Sequence, residues 1–418
     1  MARMTEGQET KVLSDEPSGY SYRWVILGIL WITYIVVFLS RLSVGPLGPF
    51  FKEELKLTSA QVGWVLSAAS LGYLLTQVPV GWVADRIGAR LPIAIGELIA
   101  GGSMIALFFA PSYAYLLSFI FVTGIGCGFL APSTTQAVVI WFPKKERATV
   151  MGVKQTAVNL GGIIGAATLP TIALALGWRY GFLILGGVAI LIGLVSFALY
   201  REPPIPIAKT GQKQAPKAEV VPLMEIVKNR QIWQVALSAF CLNWVEMAMI
   251  SHFVIYANKA LGFAVVAAGG LLAISEIAGA VARPISGIVS DRMFGGRRKP
   301  VFIFFAASAA VACLMLGLIG KSLSWGIYPV IFVLGVGGIG FGGVYLTLLS
   351  ELGGRGGAAK AAGFGSTIGV GGSILGPPIF GYIVDSTGSY NVAWLLQAFM
   401  AALCILLLNF VREEKRKI

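Results

Sequence analysis

The sequence has few charged residues, and this scarcity limits the classes of protein that it can encode. Asp, Glu, Lys and Arg make up 12% of the 418 residues, against about 25% in an average soluble protein. Hydrophobic residues make up 56%, and the mean hydropathy is +0.80. These figures exclude a soluble globular enzyme and a disordered chain. A porin-type barrel would alternate apolar with polar residues, so the long apolar runs indicate a helical membrane protein.

Histidine and cysteine are also scarce. The chain has one histidine, His252, and its four cysteines lie in apolar runs without the spacing of a metal site. It lacks the His-Glu-x-x-His and Gly-x-Ser-x-Gly motifs. The Gly-x-Gly-x-x-Gly match at 335–340 lies inside an apolar run with no strand before it, so it does not indicate a dinucleotide site. The sequence therefore predicts no metal, no cofactor and no enzymatic activity.

Apolar runs are what the chain has in abundance. Their number and length predict an all-α membrane protein with about 12 transmembrane helices of ~20 residues each. The predicted spans are residues 22–50, 59–83, 92–112, 114–141, 148–174, 178–200, 230–258, 263–290, 300–320, 325–350, 358–384 and 390–411. The predicted organisation is a tail (1–21), a six-helix bundle (22–200), a Pro- and Lys-rich linker (201–229), a second six-helix bundle (230–411) and a tail (412–418).

The basic residues predict the orientation of these helices. Most of the 32 Lys and Arg residues lie in the termini and in the loops after even-numbered spans. The positive-inside rule then places both termini in the cytoplasm of a cell whose inner membrane holds the chain. The net charge of +13 is therefore a topology signal and does not indicate a nucleic-acid partner. The exceptions are Lys52, Lys56, Arg179, Lys259 and Lys321 on the opposite face, and Arg41, Lys154 and Arg283 inside spans.

An internal repeat relates the two halves of the chain. Gly81-x-x-x-Asp85-Arg86-x-Gly88-x-Arg90 follows the second span, and Gly287-x-x-x-Asp291-Arg292-x-x-Gly295-x-Arg297 follows the eighth. The offset between them is roughly half the chain, and glycine and proline positions in later spans repeat at a similar offset. The repeat predicts two pseudo-symmetric six-helix halves.

The duplicated loop, the two halves and the basic linker together resemble the major facilitator superfamily. The resemblance implies the fold of that family, alternating access and a substrate site at mid-depth between the halves. It also implies a gating role for Asp85, Arg86, Arg90, Asp291 and Arg292, whose contacts at the helix ends would bias one access state. The alternative is that the loop is a plain structural staple.

Two arginines inside spans resemble the anion-binding residues of transporters in this superfamily. Arg283, in an Arg-Pro pair of the eighth span, resembles the substrate-binding arginine of monocarboxylate, oxalate and nitrate transporters. Arg41, with the Gly63-Trp64 and Gly177-Trp178-Arg179 segments, resembles the anion:cation symporter branch, which moves organic anions with protons or sodium. The alternatives are an ion pair of Arg283 with Glu246 or Glu276, and an Arg41 side chain that extends to water.

The same resemblance leaves the coupling residue open. Acidic residues that members of the branch often carry are replaced here by Ser40 and Leu130. Glu246 in the seventh span and Glu276 in the eighth lie near mid-depth, where a desolvated carboxylate favours its protonated form. Both are candidate proton carriers, and either could instead neutralise Arg283 permanently.

Other polar residues inside the spans are candidates for lining a substrate cavity, although a packing or interfacial role is as plausible for each. His252 is expected to be a hydrogen-bonded structural residue, and Lys154 either extends to the cytoplasm or faces the cavity as a second cation. The candidate lining residues are Tyr34, Tyr73, Gln77, Asn159, Asn243 and Tyr345.

The predicted function is secondary active transport of a small organic anion (a monocarboxylate, a dicarboxylate or a sugar acid), coupled to protons or, alternatively, to sodium. A monomer in the lipid bilayer is expected. The alternatives are a transporter of a neutral or cationic solute or drug, a transporter of an inorganic anion such as nitrate, and a receptor on the same fold. A membrane-embedded enzyme is disfavoured, because no nucleophile–base or metal set is present.

Overall fold

The structure, a computed structural model, describes residues 21–143, 146–202, 222–319, 322 and 324–413, and all the regular secondary structure of those residues is helical. The predicted all-α fold class is therefore confirmed. In chain order the helices are α1 (Tyr22–Leu42), α2 (Val44–Glu54), α3 (Ser59–Ile87), α4 (Arg90–Leu107), α5 (Tyr113–Trp141), α6 (Arg147–Leu176), α7 (Trp178–Leu199), α8 (Leu223–Lys228), α9 (Arg230–Lys259), α10 (Val265–Met293), α11 (Lys299–Ile319), α12 (Ile327–Ile339), α13 (Gly342–Leu352), α14 (Gly354–Thr387) and α15 (Tyr390–Asn409).

Eleven helical stretches of the described residues are long and apolar enough to cross a membrane. Two of them combine consecutive helices: α1 with α2 over Tyr22–Glu54, and α12 with α13 over Ile327–Leu352. Helix α3, the second of the predicted spans, has 29 residues but a less apolar sequence, because Ser, Thr and Gln interrupt it. The twelve predicted spans thus correspond to these eleven stretches and α3.

The structure refines several predicted boundaries. The first span, predicted as one helix, is divided at Ser43, whose hydroxyl donates to the carbonyl of Ser40. Part of the predicted linker is helical, since α8 lies within 201–229. The rest of that linker from 203 to 221, the predicted tails at 1–20 and 414–418, and Lys321 lie outside the described residues.

The two halves of the chain pack in the same way. In the first half α1 packs on α6, α3 on α5, and α4 on α7; in the second half α9 packs on α14, α10 on α12, and α11 on α15. Each pair in one half has its counterpart in the other. The halves meet where α3 packs on α14, α6 on α10, and α2 on α9. The interface therefore has the pseudo-symmetry that the repeat predicts.

Glycines allow the helices within each half to approach closely. A Cβ added at Gly124 of α5 would lie 2.2 Å from the carbonyl oxygen of Ala69, and one added at Gly372 of α14 would lie 2.0 Å from that of Phe240. Both distances are far below van der Waals contact. The glycine-rich faces are thus close-packing faces, as in other membrane helix bundles.

A carboxylate caps the same helix in both halves. Glu202, just after α7, accepts hydrogen bonds from the backbone N–H groups of Ala89 and Arg90 at the start of α4. Glu413, just after α15, accepts them from Arg298 and Lys299 at the start of α11. A carboxylate at a helix N-terminus satisfies free N–H groups and is stabilised by the helix dipole. The caps tie the last helix of each half to the third.

Candidate functional site

One end of the bundle is closed by contacts between the halves. Asp385, near the end of α14, accepts hydrogen bonds of 2.8 Å from the backbone N–H groups of Ser59 and Ala60 at the start of α3. The carboxylate of one half thus caps a helix of the other. A Cβ added at Gly381, one turn earlier on α14, would lie 2.2 Å from the Ser59 carbonyl oxygen. The backbones are therefore in direct contact at this end.

His252 contributes to the same closure. It is fully buried, and its Nε2 lies 3.0 Å from the carbonyl oxygen of Ser59 in the other half. Lys52 of the first half donates to the Ser59 hydroxyl at 2.6 Å. About two helix turns further along α3, the Ser67 hydroxyl donates to the Ile374 carbonyl of the other half at 2.6 Å. His252 is thus a hydrogen-bonded residue of the interface between the halves.

The duplicated loops lie at the opposite end and do not join the halves. Asp85 and Arg86 are exposed, and in the described chain they form no hydrogen bond or ion pair. Arg90 donates to the Phe197 carbonyl at 2.8 Å. Asp291 accepts from Arg298 of its own half at 2.7 Å, and Arg292 is exposed. The predicted gating residues therefore make contacts within a half or none.

Between these two ends, the second half contributes an arginine that already has an acidic neighbour. The Arg283 Nη2 lies 3.9 Å from the Glu246 Oε1, and the Arg283 Nε donates to the Ile339 carbonyl at 3.1 Å. The side chains are 23% and 12% exposed. Of the two ion-pair partners that the sequence left open for Arg283, the structure brings Glu246 within range. The pair is loose, so Arg283 keeps donors free for a ligand.

The first half contributes a second arginine, Arg41, which is buried. Arg41 is 7% exposed, and its guanidinium lies 4.4 Å from the centre of the Tyr73 ring and donates to the Ser70 hydroxyl at 3.2 Å. Among the described residues, no carboxylate lies within ion-pair distance of it. The side chain points into the bundle and does not extend to water. Its Nε has no hydrogen-bond partner in the described chain.

Lys154, on α6, is a second buried cation of the first half. It is 2% exposed, and its ammonium donates to the hydroxyls of Thr134 and Thr135 at 3.1 and 3.2 Å. It also lies 4.4 Å from the centre of the Tyr34 ring. These partners are all neutral, and in the described residues no carboxylate pairs with this ammonium.

Glu276 lies at the interface between the halves. It is 3% exposed, and its carboxylate packs against the backbone of Gly162 on α6, where an added Cβ would lie 2.6 Å from the Glu276 Cδ. The Asn159 side chain of the first half donates to the Glu276 carbonyl at 3.4 Å. The Glu276 carboxylate forms no ion pair with a described residue. It is therefore a buried acid in direct contact with the other half.

The remaining predicted lining residues divide into two groups. Tyr34 and Tyr73 lie against the cations of the first half, and Tyr345 lies within electrostatic range of Arg283 and Glu246. The other group is turned elsewhere. The Asn243 amide donates to the Ala239 carbonyl of its own helix, and Gln77 is half-buried one turn beyond Tyr73 without a hydrogen bond in the described chain.

Sequence reasoning did not single out Ser70, although this hydroxyl holds the Arg41 guanidinium. The only available signal was its spacing, since Ser70 precedes Tyr73 by three residues and so shares its helix face. Serines are common in membrane helices, so the spacing by itself carried little weight. The arrangement as a whole can hold an anion between the two halves.

Comparison with known proteins identifies the family. The family described as Major Facilitator Superfamily matches residues 30–373. The probable sulfoacetate transporter SauU of Cupriavidus necator is 27% identical, covering 93% of this chain and 94% of the relative. The hexuronate transporter of Bacillus subtilis is 24% identical, with coverages of 93% and 94%. The probable galactarate/D-glucarate transporter GudP of Bacillus subtilis is 26% identical, with coverages of 92% and 91%.

Solved structures show the same fold. The crystal structure of a bacterial homolog to the human lysosomal transporter Spinster, in an inward-facing and unoccupied conformation, has a TM-score of 0.72 with this chain at 19% identity. The match covers 93% of this chain and 95% of the other. The fold, the sequence match and the relatives agree with one another, and they confirm that the chain is a multi-pass membrane protein and not an enzyme. The chain belongs to the Major Facilitator Superfamily of transporters.

Proposed function

We propose that this protein is a secondary active transporter of a small organic anion that works by alternating access. The observation that carries the proposal is the Arg41 guanidinium, buried in the first half without a carboxylate within ion-pair distance in the described chain. An unpaired cation out of water is strongly disfavoured unless a ligand supplies the opposite charge. An anionic substrate would supply it. The names of the three relatives, which specify sulfoacetate, hexuronate and galactarate or glucarate, support this substrate class.

Arg41 and Arg283 face the site from opposite halves, and this arrangement suits a substrate that must be held by both. A guanidinium can donate two parallel hydrogen bonds to one carboxylate. Tyr34, Tyr73 and Tyr345 would donate to further substrate oxygens, with Gln77, Asn159 and Asn243 lining the path in other states. A substrate that contacts both halves favours the conformations in which the two halves lie close together around it.

The contacts at the two ends support alternating access. The Asp385–Ser59 contact joins the halves at the closed end, whereas Asp85 and Arg86 are exposed at the opposite end. Transport would require the Asp385–Ser59 end to open. The opposite end would then close through contacts of the predicted gating residues, which are Asp85, Arg86, Arg90, Asp291 and Arg292. The basic residues concentrate at that end, so we place it, together with both termini, in the cytoplasm and the chain in the inner membrane. We further propose that the protein is a monomer.

A proton is the proposed coupling ion, and Glu276 is the proposed carrier. Glu246 has Arg283 as a neighbour, which favours its charged form, whereas Glu276 is buried without an ion-pair partner in the described residues. A carboxyl group in that position favours protonation. Its contact with Gly162 of the other half would change as the halves move. Glu246 would then neutralise Arg283, and sodium is the alternative coupling ion.

One observation favours a second candidate function, the transport of a neutral or cationic solute. The Arg283–Glu246 pair could be permanent, in which case Arg283 would not be available to an anion. Arg41 has no such partner in the described chain, so the anionic substrate remains the better proposal.

Uptake into proteoliposomes tests the proposal. We expect galactonate, galactarate or sulfoacetate to accumulate when the outside is acidic, and accumulation to stop when the proton gradient is collapsed. Glu276→Gln should abolish proton-driven accumulation but preserve exchange of internal for external substrate, because a glutamine cannot release a proton. Accumulation by Glu276→Gln at the wild-type level would exclude Glu276 as the carrier. Failure of all three anions, together with uptake of a neutral or cationic solute, would overturn the anion assignment.

A further inference from the structure

The first half holds two buried cations with neutral surroundings. Arg41 contacts the Tyr73 ring and a serine hydroxyl, and Lys154 contacts the Tyr34 ring and two threonine hydroxyls. Neither has a carboxylate within ion-pair distance among the described residues. Since hydroxyls and aromatic rings do not cancel a positive charge, an anionic partner would stabilise the charged form of both side chains.

The two cations contact different aromatic rings. Lys154 lies over Tyr34, and Arg41 follows Tyr34 by seven residues on α1, which is about 10 Å along the helix. Arg41 and Lys154 have no partner residue in common among the described residues. A molecule with an acidic group at each end would therefore suit the two cations.

Access to Lys154 is possible on one side. The ammonium is buried, but the side chain of Thr135, one of its two hydroxyl partners, is exposed. Lys154 lies two turns from the start of α6, on the side of the site away from the Asp385–Ser59 closure. A ligand group that displaced the Thr135 hydroxyl would reach the ammonium from the open end.

The charged residues at mid-depth lead to the same conclusion. Glu246 offsets Arg283, so Arg41 and Lys154 leave a balance of two positive charges when Glu276 is protonated. A doubly charged anion cancels this balance. Loss of the Glu276 proton would lower the balance to one and weaken the binding of such an anion, so that binding of the proton and of the substrate reinforce each other.

We infer that Lys154 is a second anion-binding residue and that the substrate is a small molecule with two acidic groups, one bound at Arg41 and the other at Lys154. This inference rests on the proposed function and narrows its substrate class. Sulfoacetate, galactarate and glucarate have two acidic groups, whereas a hexuronate has one. The two positive charges of Arg41 and Lys154 favour a substrate with two acidic groups.

A pair of probes that differ at one end tests the inference. Galactarate and galactonate have the same six-carbon chain, but the second carboxylate of galactarate is a hydroxymethyl group in galactonate. Sulfoacetate and glycolate form a shorter pair. We would measure the KM for uptake of each, or their competition, in wild type and in Lys154→Met and Lys154→Arg, with Lys228→Met, an exposed lysine of α8, as the matched control.

We expect wild type to bind at least one dianion ten-fold or more tightly than its monoanionic counterpart. Lys154→Met should remove this preference by raising the KM for the dianion while leaving that for the monoanion within about two-fold. Lys154→Arg, which keeps the charge, should keep the preference, and Lys228→Met should match wild type. Thermal unfolding of each variant in detergent would show that it is folded.

Three other outcomes would overturn the inference. If the wild-type protein takes up the monoanions with the same KM as the dianions, a specific dianionic substrate is excluded, whereas the proposal of organic-anion transport stands. An equal loss for both kinds of probe in Lys154→Met, or the same loss in Lys154→Arg, would show that Lys154 acts through packing and not through charge. If no anion binds to wild type at all, the proposed function itself fails.

Discussion

The two halves of the molecule have similar packing but different charges at the surface where they meet. In the second half, the Arg283 cation has the Glu246 carboxylate 3.9 Å away, and Glu276 adds a second acid. In the first half, Arg41 and Lys154 are buried among hydroxyls and aromatic rings. The repeat therefore preserved the architecture and not the electrostatics. The difference suggests a division of roles, in which the first half supplies most of the positive charge for the anion, whereas the second half adds Arg283 as a donor and binds the proton.

The largest effect is expected when the first half loses its arginine. Arg41→Gln keeps a hydrogen-bond donor but removes the charge and the bidentate geometry. Loss of a charge-assisted bond at a buried site costs about 3 kcal/mol, so uptake of the substrate anion should fall by roughly 100-fold. Initial uptake rates in proteoliposomes would measure this. Arg412→Gln, at the exposed end of the bundle, is the control, and uptake by Arg41→Gln above a third of wild type would contradict the proposed division.

An intermediate effect is expected from the ion pair of the second half. Glu246→Gln leaves Arg283 without its neighbour, and Arg283→Gln leaves Glu246 without its cation, so each should reduce uptake about ten-fold. The double variant should recover part of the loss, because it removes both charges together, with a coupling free energy on the order of 1 kcal/mol. A double-mutant cycle on uptake rates gives this quantity. Strictly additive losses would indicate that the two residues act separately.

The smallest effect is expected at the contact between Gly162 and Glu276. An added methyl group at Gly162 would lie 2.6 Å from the Glu276 Cδ, and the flexible carboxylate would have to move aside. Gly162→Ala should therefore fold normally. Its uptake rate at a given pH should differ from that of wild type by a few-fold, because the pH profile of uptake is displaced. Gly152→Ala on the same helix has nothing within 4 Å and is the matched control. If both variants have the wild-type pH profile, Glu276 does not sense the other half.

Most of the fold could be predicted from sequence. The apolar runs predicted the spans, and the repeated Asp85-Arg86 and Asp291-Arg292 loops predicted the two halves. Helix α3 was also predicted, although it is less apolar than the other spans. Its polar residues are explained by its position, because α3 contacts α14 across the interface and supplies Ser70 and Tyr73 to Arg41. The local break at Ser43, where the hydroxyl donates to the Ser40 carbonyl, was not predicted.

The candidate site was predicted less completely. The intramembrane charges were identified because such residues are rare in apolar spans. Glu246 and Glu276 were both predicted as partners of Arg283, and the structure brings Glu246 of α9 within range. The hydroxyl groups that hold Arg41 and Lys154 were not predicted. Arg41 could have extended to water, and its contact with Tyr73 depends on the packing of α1 near α3. Lys154 could likewise have extended to water, and in the structure the Thr134 and Thr135 hydroxyls of α5 accept hydrogen bonds from its ammonium within the bundle.

The sequence by itself determined that the chain is a helical membrane protein with a duplicated architecture and a few charges inside it. These properties follow from hydropathy, helix length and repeated motifs, which are local along the chain. Only the tertiary structure decided which of those charges are neutralised. Pairing depends on which side chains of different helices come within a few ångströms of each other, and that distance is set by the packing of α9 on α10, of α1 near α3, and of α5 near α6.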